Sequence, residues 1–264
     1  MTGFDKAWLA VREPADLAAR NKALMGELAR FLAADEQPHI LDIGCGTGST
    51  WRSLSDHVPG STSWRLVDYD PALLAEAARS IGAGNRVEFR QHDLNNLAGL
   101  PLDGVSAVTA SALLDLCSER FCDALSERLS VHGCALYAAL NYDGVMRWSV
   151  DHALDGQVVD LFNRHQRRDK GLGPALGPDA TSCMAEQLTA RGYLLRIEDS
   201  PWELDARTAA LQTELLKGLR QPLLEMRSLG EQEIDDWLAF RLAALKSESS
   251  TCTIGHKDLF GLPA

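Results

Sequence analysis

Long apolar stretches are missing from this 264-residue sequence, and no run approaches the ~18 consecutive apolar residues that a membrane-spanning helix needs. The N-terminus, MTGFDKAWLAVREPAD, places charged residues where a secretion signal would need its apolar segment. Cysteines are few, six in all, and none forms a CxxC pair or stands at metal-ligand spacing from a histidine. We therefore expect a cytoplasmic protein with reduced thiols, no metal site and no membrane partner.

Basic residues are also scarce, with 26 lysines and arginines against 37 aspartates and glutamates and a formal net charge of −11. Such a charge repels nucleic acid unless a local basic patch overrides it, so no nucleic-acid partner is expected. One short basic stretch contains His165, Arg167, Arg168 and Lys170. A solvated loop explains this stretch at least as well as an anion site.

Apolar segments of strand length alternate with helical patterns along the chain. In order they are HILDIGC, SWRLVDY, RVEFRQH, VSAVTA and CALYAALNY, and YLLRIEDS and STCTIGHKDLF follow near the C-terminus. A βαβ rhythm of this kind predicts a parallel sheet with helices on both faces. The predicted fold is α/β, a doubly wound, seven-stranded, mainly parallel sheet.

A helical segment precedes this predicted domain, and two insertions interrupt it. Residues 1–36 form an N-terminal helical cap in which Pro14 predicts a break, and residues 37–264 form the main domain. An irregular insertion is expected at about 143–180, where glycine and proline cluster. The helical pattern at about 205–246, an insertion before the last strand, predicts either a lid over an active site or the interface of a homodimer.

A glycine-rich loop carries the strongest functional signal. Gly44, Gly46 and Gly48 follow a strand and precede a helix, where a tight turn lets a ligand approach the backbone. Asp42 lies close enough to attract an ammonium group, and Asp68 ends the next strand, where a carboxylate can accept hydrogen bonds from both hydroxyls of a ribose. The loop and the acid together predict a nucleoside ligand at this sheet edge.

A third acid extends the pattern, and the spacing of the glycines separates two kinds of cofactor. Asp93 follows the third strand and is placed to accept a hydrogen bond from an adenine amino group. An NAD fingerprint requires GxGxxG, whereas here Ser49 stands where the third glycine belongs. The pattern therefore disfavours an NAD-dependent oxidoreductase, which stays an alternative.

These segments resemble the class I S-adenosylmethionine-dependent methyltransferase family over about residues 37–142. LDIGCGTGS is similar to its first motif, LVDYDP to its second, and QHDL and VTASALLDL to its third and fourth. The resemblance implies S-adenosyl-L-methionine as cofactor and in-line methyl transfer to an oxygen, nitrogen or carbon of a small-molecule acceptor. It also implies a cofactor site composed of Asp42, Gly44, Cys45, Gly46, Gly48, Asp68, Tyr69, Asp93, Leu94 and Ser111.

An arginine of the N-terminal segment is well suited to bind the methionine carboxylate. Arg20 is the first candidate and Arg12 the second, because a guanidinium can hold a carboxylate through two hydrogen bonds. An ion pair on an amphipathic helix, with Asp16 as the partner, explains Arg20 equally well.

Methyl transfer releases a neutral thioether, so a general acid is not required, but an acceptor that begins protonated needs a base. Asp115 is the first candidate, because the fourth-motif position of the family faces the transferring methyl group. Tyr142 and Asp143, at the expected end of the fifth strand, are further candidates. An N-cap or a solvated loop explains Asp115 as well.

Two further functions stay open. A non-catalytic S-adenosylmethionine-binding module has the same cofactor signature. A methyltransferase acting on a macromolecule is disfavoured by the acidic charge and by the lack of an NPPY-like tetrapeptide after the fourth strand.

Overall fold

One twisted sheet forms the centre of the protein, as seen in a computed structural model that describes residues 5–82 and 86–264. Its strands are β1 (His39–Ile43), β2 (Ser63–Asp68), β3 (Val87–Gln91), β4 (Ala107–Ser111), β5 (Ala135–Trp148), β6 (Leu194–Asp199), β7 (Trp202–Leu204) and β8 (Cys252–Leu262). The order is β3-β2-β1-β4-β5-β8-β6; the first five strands are parallel, and β8 runs antiparallel to its neighbours.

Helices cover both faces of the sheet. They are α1 (Lys6–Ala19), α2 (Lys22–Ala33), α3 (Ser49–Leu54), α4 (Pro71–Ile81), α5 (Glu119–His132), α6 (Asp155–Gln166), α7 (Ala180–Thr189), α8 (Ala209–Met226) and α9 (Glu231–Ala244). Successive strand residues point to opposite faces, so that Leu41 and Val108 join the core beneath α5 and α7, whereas Ile40 and Ala107 join the core beneath α2 and α4. The doubly wound, mainly parallel sheet predicted from the sequence is confirmed.

The strand count is eight among the described residues, where seven strands were predicted. The extra strand is β7, which pairs with β8 as β6 does. Ser200 and Pro201 separate β6 from β7, and proline has no N–H with which to continue a ladder. The seventh position of the sheet is therefore one interrupted strand.

The predicted break of the N-terminal cap at Pro14 is wrong. Helix α1 continues through Pro14 and ends at Ala19, and α2 begins after Asn21, whose side chain accepts hydrogen bonds from the backbone of Ala23 and Leu24. Side chains on both sides of the proline bind other parts of the chain, as described below for Arg12 and Asp16. These tertiary contacts offset the loss of one intrahelical hydrogen bond.

The segment 143–180 is more regular than predicted. Strand β5 does not end near Tyr142 but continues to Trp148, because it pairs with β8 along most of its length despite two irregularities in register. Helix α6 follows, and irregular backbone is confined to the connections before and after this helix.

The helical insertion before β8 is present as α8 and α9, which pack on each other. Helix α8 also packs on α6 and contacts α1. The apolar side chains of the insertion, among them Leu219, Leu223 and Trp237, are buried in a third core with residues of β7 and β8. Among the described helices, none is long and apolar enough to cross a membrane.

Candidate functional site

A cavity of about 660 Å³ opens at the carboxyl ends of the parallel strands. Its size is that of a small-molecule site, and its position is the one at which open α/β sheets bind ligands. Seven residues that the sequence assigned to the cofactor line it: Gly44, Cys45, Gly46, Asp68, Tyr69, Leu94 and Ser111.

The glycine loop bends through left-handed backbone conformations at its three glycines. The φ angles of Gly44, Gly46 and Gly48 are +62°, +54° and +85°, values that side-chain-bearing residues rarely adopt. Gly48 does not line the cavity; a Cβ atom there would lie 2.9 Å from the Cδ1 atom of Ile81. Its role is therefore to let the loop pack against α4.

Asp68 at the end of β2 holds this loop in place. Its Oδ2 atom accepts a hydrogen bond of 2.8 Å from the backbone N–H of Gly46, and its Oδ1 atom accepts one of 2.9 Å from Asp70. Burial raises the pKa of the Asp68 carboxyl. Because a carboxylate offers about four acceptor positions, capacity remains for a ribose.

Next to Asp68 the cavity wall turns apolar. Tyr69, half exposed, lines the wall together with Leu73 and Leu94, both of which are buried. A flat aromatic base fits between such side chains. Asp93 precedes Leu94 but does not line the cavity; its exposed carboxylate accepts hydrogen bonds from the backbone and side chain of Asn95.

Arg20 is buried at the other end of the glycine loop, with 2% of its surface exposed. Its Nη2 atom donates a hydrogen bond of 2.7 Å to Ser111, whose hydroxyl lies 3.1 Å from that of Thr50. Within the part of the chain that the structure describes, Nε and Nη1 of this arginine have no acceptor. A buried cation with two unused donors is costly unless a ligand completes it.

Asp42 is a buried acid with an unused hydrogen-bond acceptor. It is fully buried, its Oδ1 atom accepts a hydrogen bond of 2.7 Å from Thr109, and Oδ2 has no donor among residues 5–82 and 86–264. Burial raises the pKa of its carboxyl to about 7, although Thr109 and the charge of Arg20 act in the opposite direction. The unused donors of Arg20 fit the carboxylate of an amino acid, and the unused acceptor of Asp42 fits its ammonium group. The methionine part of S-adenosylmethionine has both groups.

The expected ion-pair partner of Arg20 belongs to another arginine. Asp16 pairs with Arg12 through contacts of 2.8 Å and 3.1 Å, and accepts a hydrogen bond of 3.0 Å from the indole of Trp202. The guanidinium of Arg12 lies 5.0 Å from the ring centre of Trp202. Both Arg12 and Asp16 line the cavity, so α1 forms part of its wall.

Asp115 is buried beside the cavity, in a short turn whose neighbouring residues Leu113 and Leu116 line it. Its Oδ1 atom is without a partner in the described chain. Burial raises the pKa of this carboxyl to about 6, an effect that the charges of Arg12 and Lys170 reduce. The group can therefore take up a proton near neutral pH.

Tyr142 and Asp143 do not line the cavity, because β5 continues past them. The Tyr142 hydroxyl donates a hydrogen bond of 2.8 Å to Asn163, and burial raises the pKa of this hydroxyl. The Asp143 carboxylate accepts a hydrogen bond from the backbone of Val145.

Several lining residues were not predicted. Some flank the predicted motifs, and Leu9 lies on α1. Others come from the end of α6 and the segment after it: Gln166, Asp169, Lys170, Gly171 and Leu172. The basic stretch and the glycine of this segment were visible in the sequence, but no spacing linked them to a sheet edge more than a hundred residues away.

A comparison with known families agrees with this geometry. Residues 40–132, from β1 to the end of α5, match the sequence profile described as a methyltransferase domain. This segment is a methyltransferase domain. The prediction of a methyltransferase domain is thereby confirmed for this segment.

A solved structure supports the fold. The YcgJ protein from Bacillus subtilis superposes with a TM-score of 0.54 at 14% identity, over 92% of this chain and 100% of that one. Phosphoethanolamine N-methyltransferase 2 of Haemonchus contortus, in complex with S-adenosyl-L-methionine, has a TM-score of 0.49 at 16% identity, over 91% of this chain and 52% of that one.

One curated relative is an uncharacterized protein of Synechococcus sp., 28% identical over 177 residues. The match covers 64% of this chain and 39% of that protein. The chain thus spans about two fifths of the length of this relative.

Proposed function

We propose that this domain transfers the methyl group of S-adenosylmethionine to a small molecule bound where α1 meets the segment after α6. The observation that carries the proposal is the pair of buried, half-satisfied charges, Arg20 and Asp42, close enough for the charge of Arg20 to act on the Asp42 carboxyl. Each has unused hydrogen-bonding atoms of the sign that the methionine carboxylate or ammonium requires. Ser111 fixes the direction of the guanidinium.

The bound cofactor supplies an electrophilic methyl group on a positively charged sulfur. The chain's own contribution is then position: the glycine loop and Asp68 hold the nucleoside end, and Arg20 and Asp42 hold the amino-acid end. Because α1 forms one wall, bound molecules are partly screened from water.

Asp115 is the proposed proton acceptor for an acceptor atom that begins protonated. Its unpartnered oxygen and the raised pKa of its carboxyl support it over Tyr142, whose hydroxyl donates to Asn163, and over Asp143, whose Oδ1 atom accepts from Val145. Turnover of such an acceptor would rise with pH through about 6, as this carboxyl ionises.

The cellular setting belongs to the same proposal. Six free cysteines, five of them buried, support a reducing compartment such as the cytoplasm. The net charge of −11 supports a small-molecule acceptor over nucleic acid.

Calorimetry with S-adenosylmethionine and with NAD tests the proposal, followed by assays for S-adenosylhomocysteine release with candidate acceptors. We expect binding of the first ligand and none of the second. Binding without turnover of any acceptor would favour the non-catalytic module, and failure to bind S-adenosylmethionine would refute the proposal.

A further inference from the structure

Lys170 stands out among the charged residues of the cavity wall. The wall contains two cations, Arg12 and Lys170, within the described chain. Arg12 is neutralised by Asp16 at 2.8 Å, whereas Lys170 forms no salt bridge with any described carboxylate. Its Nζ atom lies 3.4 Å from the Nδ1 atom of His165. A half-buried ammonium without a direct ion-pair partner is suited to bind an anion.

A chain of hydrogen bonds from the helical insertion holds this ammonium. An ammonium only donates, so Nδ1 of His165 accepts, and the ring proton lies on Nε2. Nε2 lies 3.0 Å from the Oε2 atom of Glu225 on α8. Burial lowers the pKa of His165, which keeps the ring neutral and able to accept. The insertion thus reaches the cavity indirectly, through Glu225, His165 and Lys170.

Other charged groups near Lys170 are engaged or farther away. Arg168 donates to Glu225 at 2.9 Å and so shares that carboxylate. Asp169 accepts a hydrogen bond of 2.7 Å from the backbone of Gly171. Glu225 and Asp115 act on Lys170 through their charges. No described carboxylate contacts the ammonium directly, so its remaining N–H groups can donate to a ligand.

Apolar side chains share the cavity wall with Lys170. Leu9, Leu113, Leu116 and Leu172 line the same cavity, and Leu113 and Leu172 are buried. A ligand here would place an apolar body against leucines and a single negative charge against the ammonium.

We propose that the methyl acceptor is a small carboxylic acid with an apolar body, whose carboxylate binds Lys170. This proposal rests on the proposed methyltransferase function, since it assigns the acceptor end of the same cavity. His165 and Glu225 are positioning residues, because they act on the ligand through Lys170.

Benzoate and its neutral counterpart benzamide are suitable probes. Their binding would be measured by calorimetry, with and without saturating S-adenosylhomocysteine, for the wild type and for Lys170→Met, Lys170→Arg and Glu225→Gln. Lys217→Met is the matched control, since Lys217 is an exposed lysine of α8 that pairs with Glu214 away from the cavity.

We expect benzoate to bind the wild type about tenfold or more tightly than benzamide, since a charged hydrogen bond distinguishes them. Lys170→Met should remove this preference without changing benzamide affinity, and Lys170→Arg should keep most of it. Glu225→Gln should weaken the binding of benzoate but not of benzamide, because the ammonium of Lys170 is held less firmly while the apolar wall is unchanged. Lys217→Met should behave as the wild type.

Equal affinity of the wild type and Lys170→Met for benzoate, or no binding of benzoate by the wild type, would overturn the acceptor assignment. The cofactor titration separates this outcome from failure of the proposed function. If S-adenosylhomocysteine binds and benzoate does not, only the acceptor class is wrong. If benzoate binds through Lys170 and S-adenosylhomocysteine does not, the methyltransferase proposal is wrong.

Discussion

Arg20 and Asp42 show how single residues encode this site. Each is a charged side chain in the interior, where desolvation costs several kcal/mol unless partners compensate it. The protein supplies part of that compensation. Arg20 donates a hydrogen bond of 2.7 Å to Ser111, and Asp42 accepts one of 2.7 Å from Thr109. A zwitterionic amino-acid ligand would supply the rest.

Replacing Arg20 by Met should weaken binding of S-adenosylhomocysteine by about 1.5–3 kcal/mol, the range for a hydrogen bond to a charged group. Binding of 5′-methylthioadenosine, which lacks the amino-acid part, should not change. Calorimetry measures both affinities, and Arg30→Met, at an exposed position of α2, is the control. Equal losses for both ligands would mean that Arg20 only supports the fold.

Asp115 should make stability depend on pH. Its pKa is raised from 3.8 to about 6 by burial, so between these values the native state keeps a proton that the unfolded state releases. The free energy of unfolding should therefore fall as pH rises through this window, by about 3 kcal/mol at most, and then level off.

Asp115→Asn cannot ionise, so this contribution to the fall should disappear in the variant. Urea unfolding of wild type and variant between pH 4 and pH 7, values chosen to bracket the shift, measures the difference. Asp56→Asn, at an exposed position, is the control. A constant difference between wild type and Asp115→Asn across this range would contradict the buried, proton-binding carboxyl.

The cofactor-site residues near the strand ends could be predicted from the sequence, because the glycine loop directly follows β1. Lys170 could not be identified in this way, since its place depends on the path of the backbone after α6. Arg12 and Asp16 were each noticed, but their pairing was wrong: residues 12, 16 and 20 are all at helical spacing, and only the end of α1 at Ala19 separates Arg20 from the helix.

At the scale of elements, the strands followed by glycine or acid were predicted well, because each is a short apolar run between clear turn signals. Strand β5 was cut short because Asp143 and Gly144 read as a turn, whereas pairing with β8 carries the strand past them. The boundary between α1 and α2 was assigned to Pro14, although Asn21 carries the capping signal that marks the true start of α2.

The turn between β1 and α3 should not tolerate a branched side chain. Gly46→Val would strain a backbone at φ +54° and place a side chain in the cavity, with its Cβ atom 3.5 Å from Leu9. We expect no detectable binding of S-adenosylhomocysteine by calorimetry, with a largely unchanged circular dichroism spectrum. Gly60→Val, where a Cβ atom meets nothing within 4 Å, is the control, and retained binding in Gly46→Val would show that the loop is only a turn.

At the scale of the whole molecule, the insertion of α8 and α9 supports the cavity from a distance. None of its residues lines the cavity, so it is not a lid in direct contact with ligand. Its apolar face is covered by the rest of the chain, so it does not need a second copy to bury it. Because α8 packs on α6 and contacts α1, it supports the two helices that border the cavity.

This arrangement predicts different results for a buried and an exposed substitution in the insertion. Leu223 is fully buried on α8, and Leu223→Ala should lower the free energy of unfolding by about 2–5 kcal/mol, as cavities in a core do. Affinity for S-adenosylhomocysteine should fall as well, because α1 loses support. Phe240 on α9 is an exposed large apolar residue, and Phe240→Ser should lower stability less than Leu223→Ala and leave sedimentation unchanged. A wild-type dimer that Phe240→Ser converts to a monomer, with Leu223→Ala leaving ligand affinity intact, would instead identify the insertion as an interface between subunits.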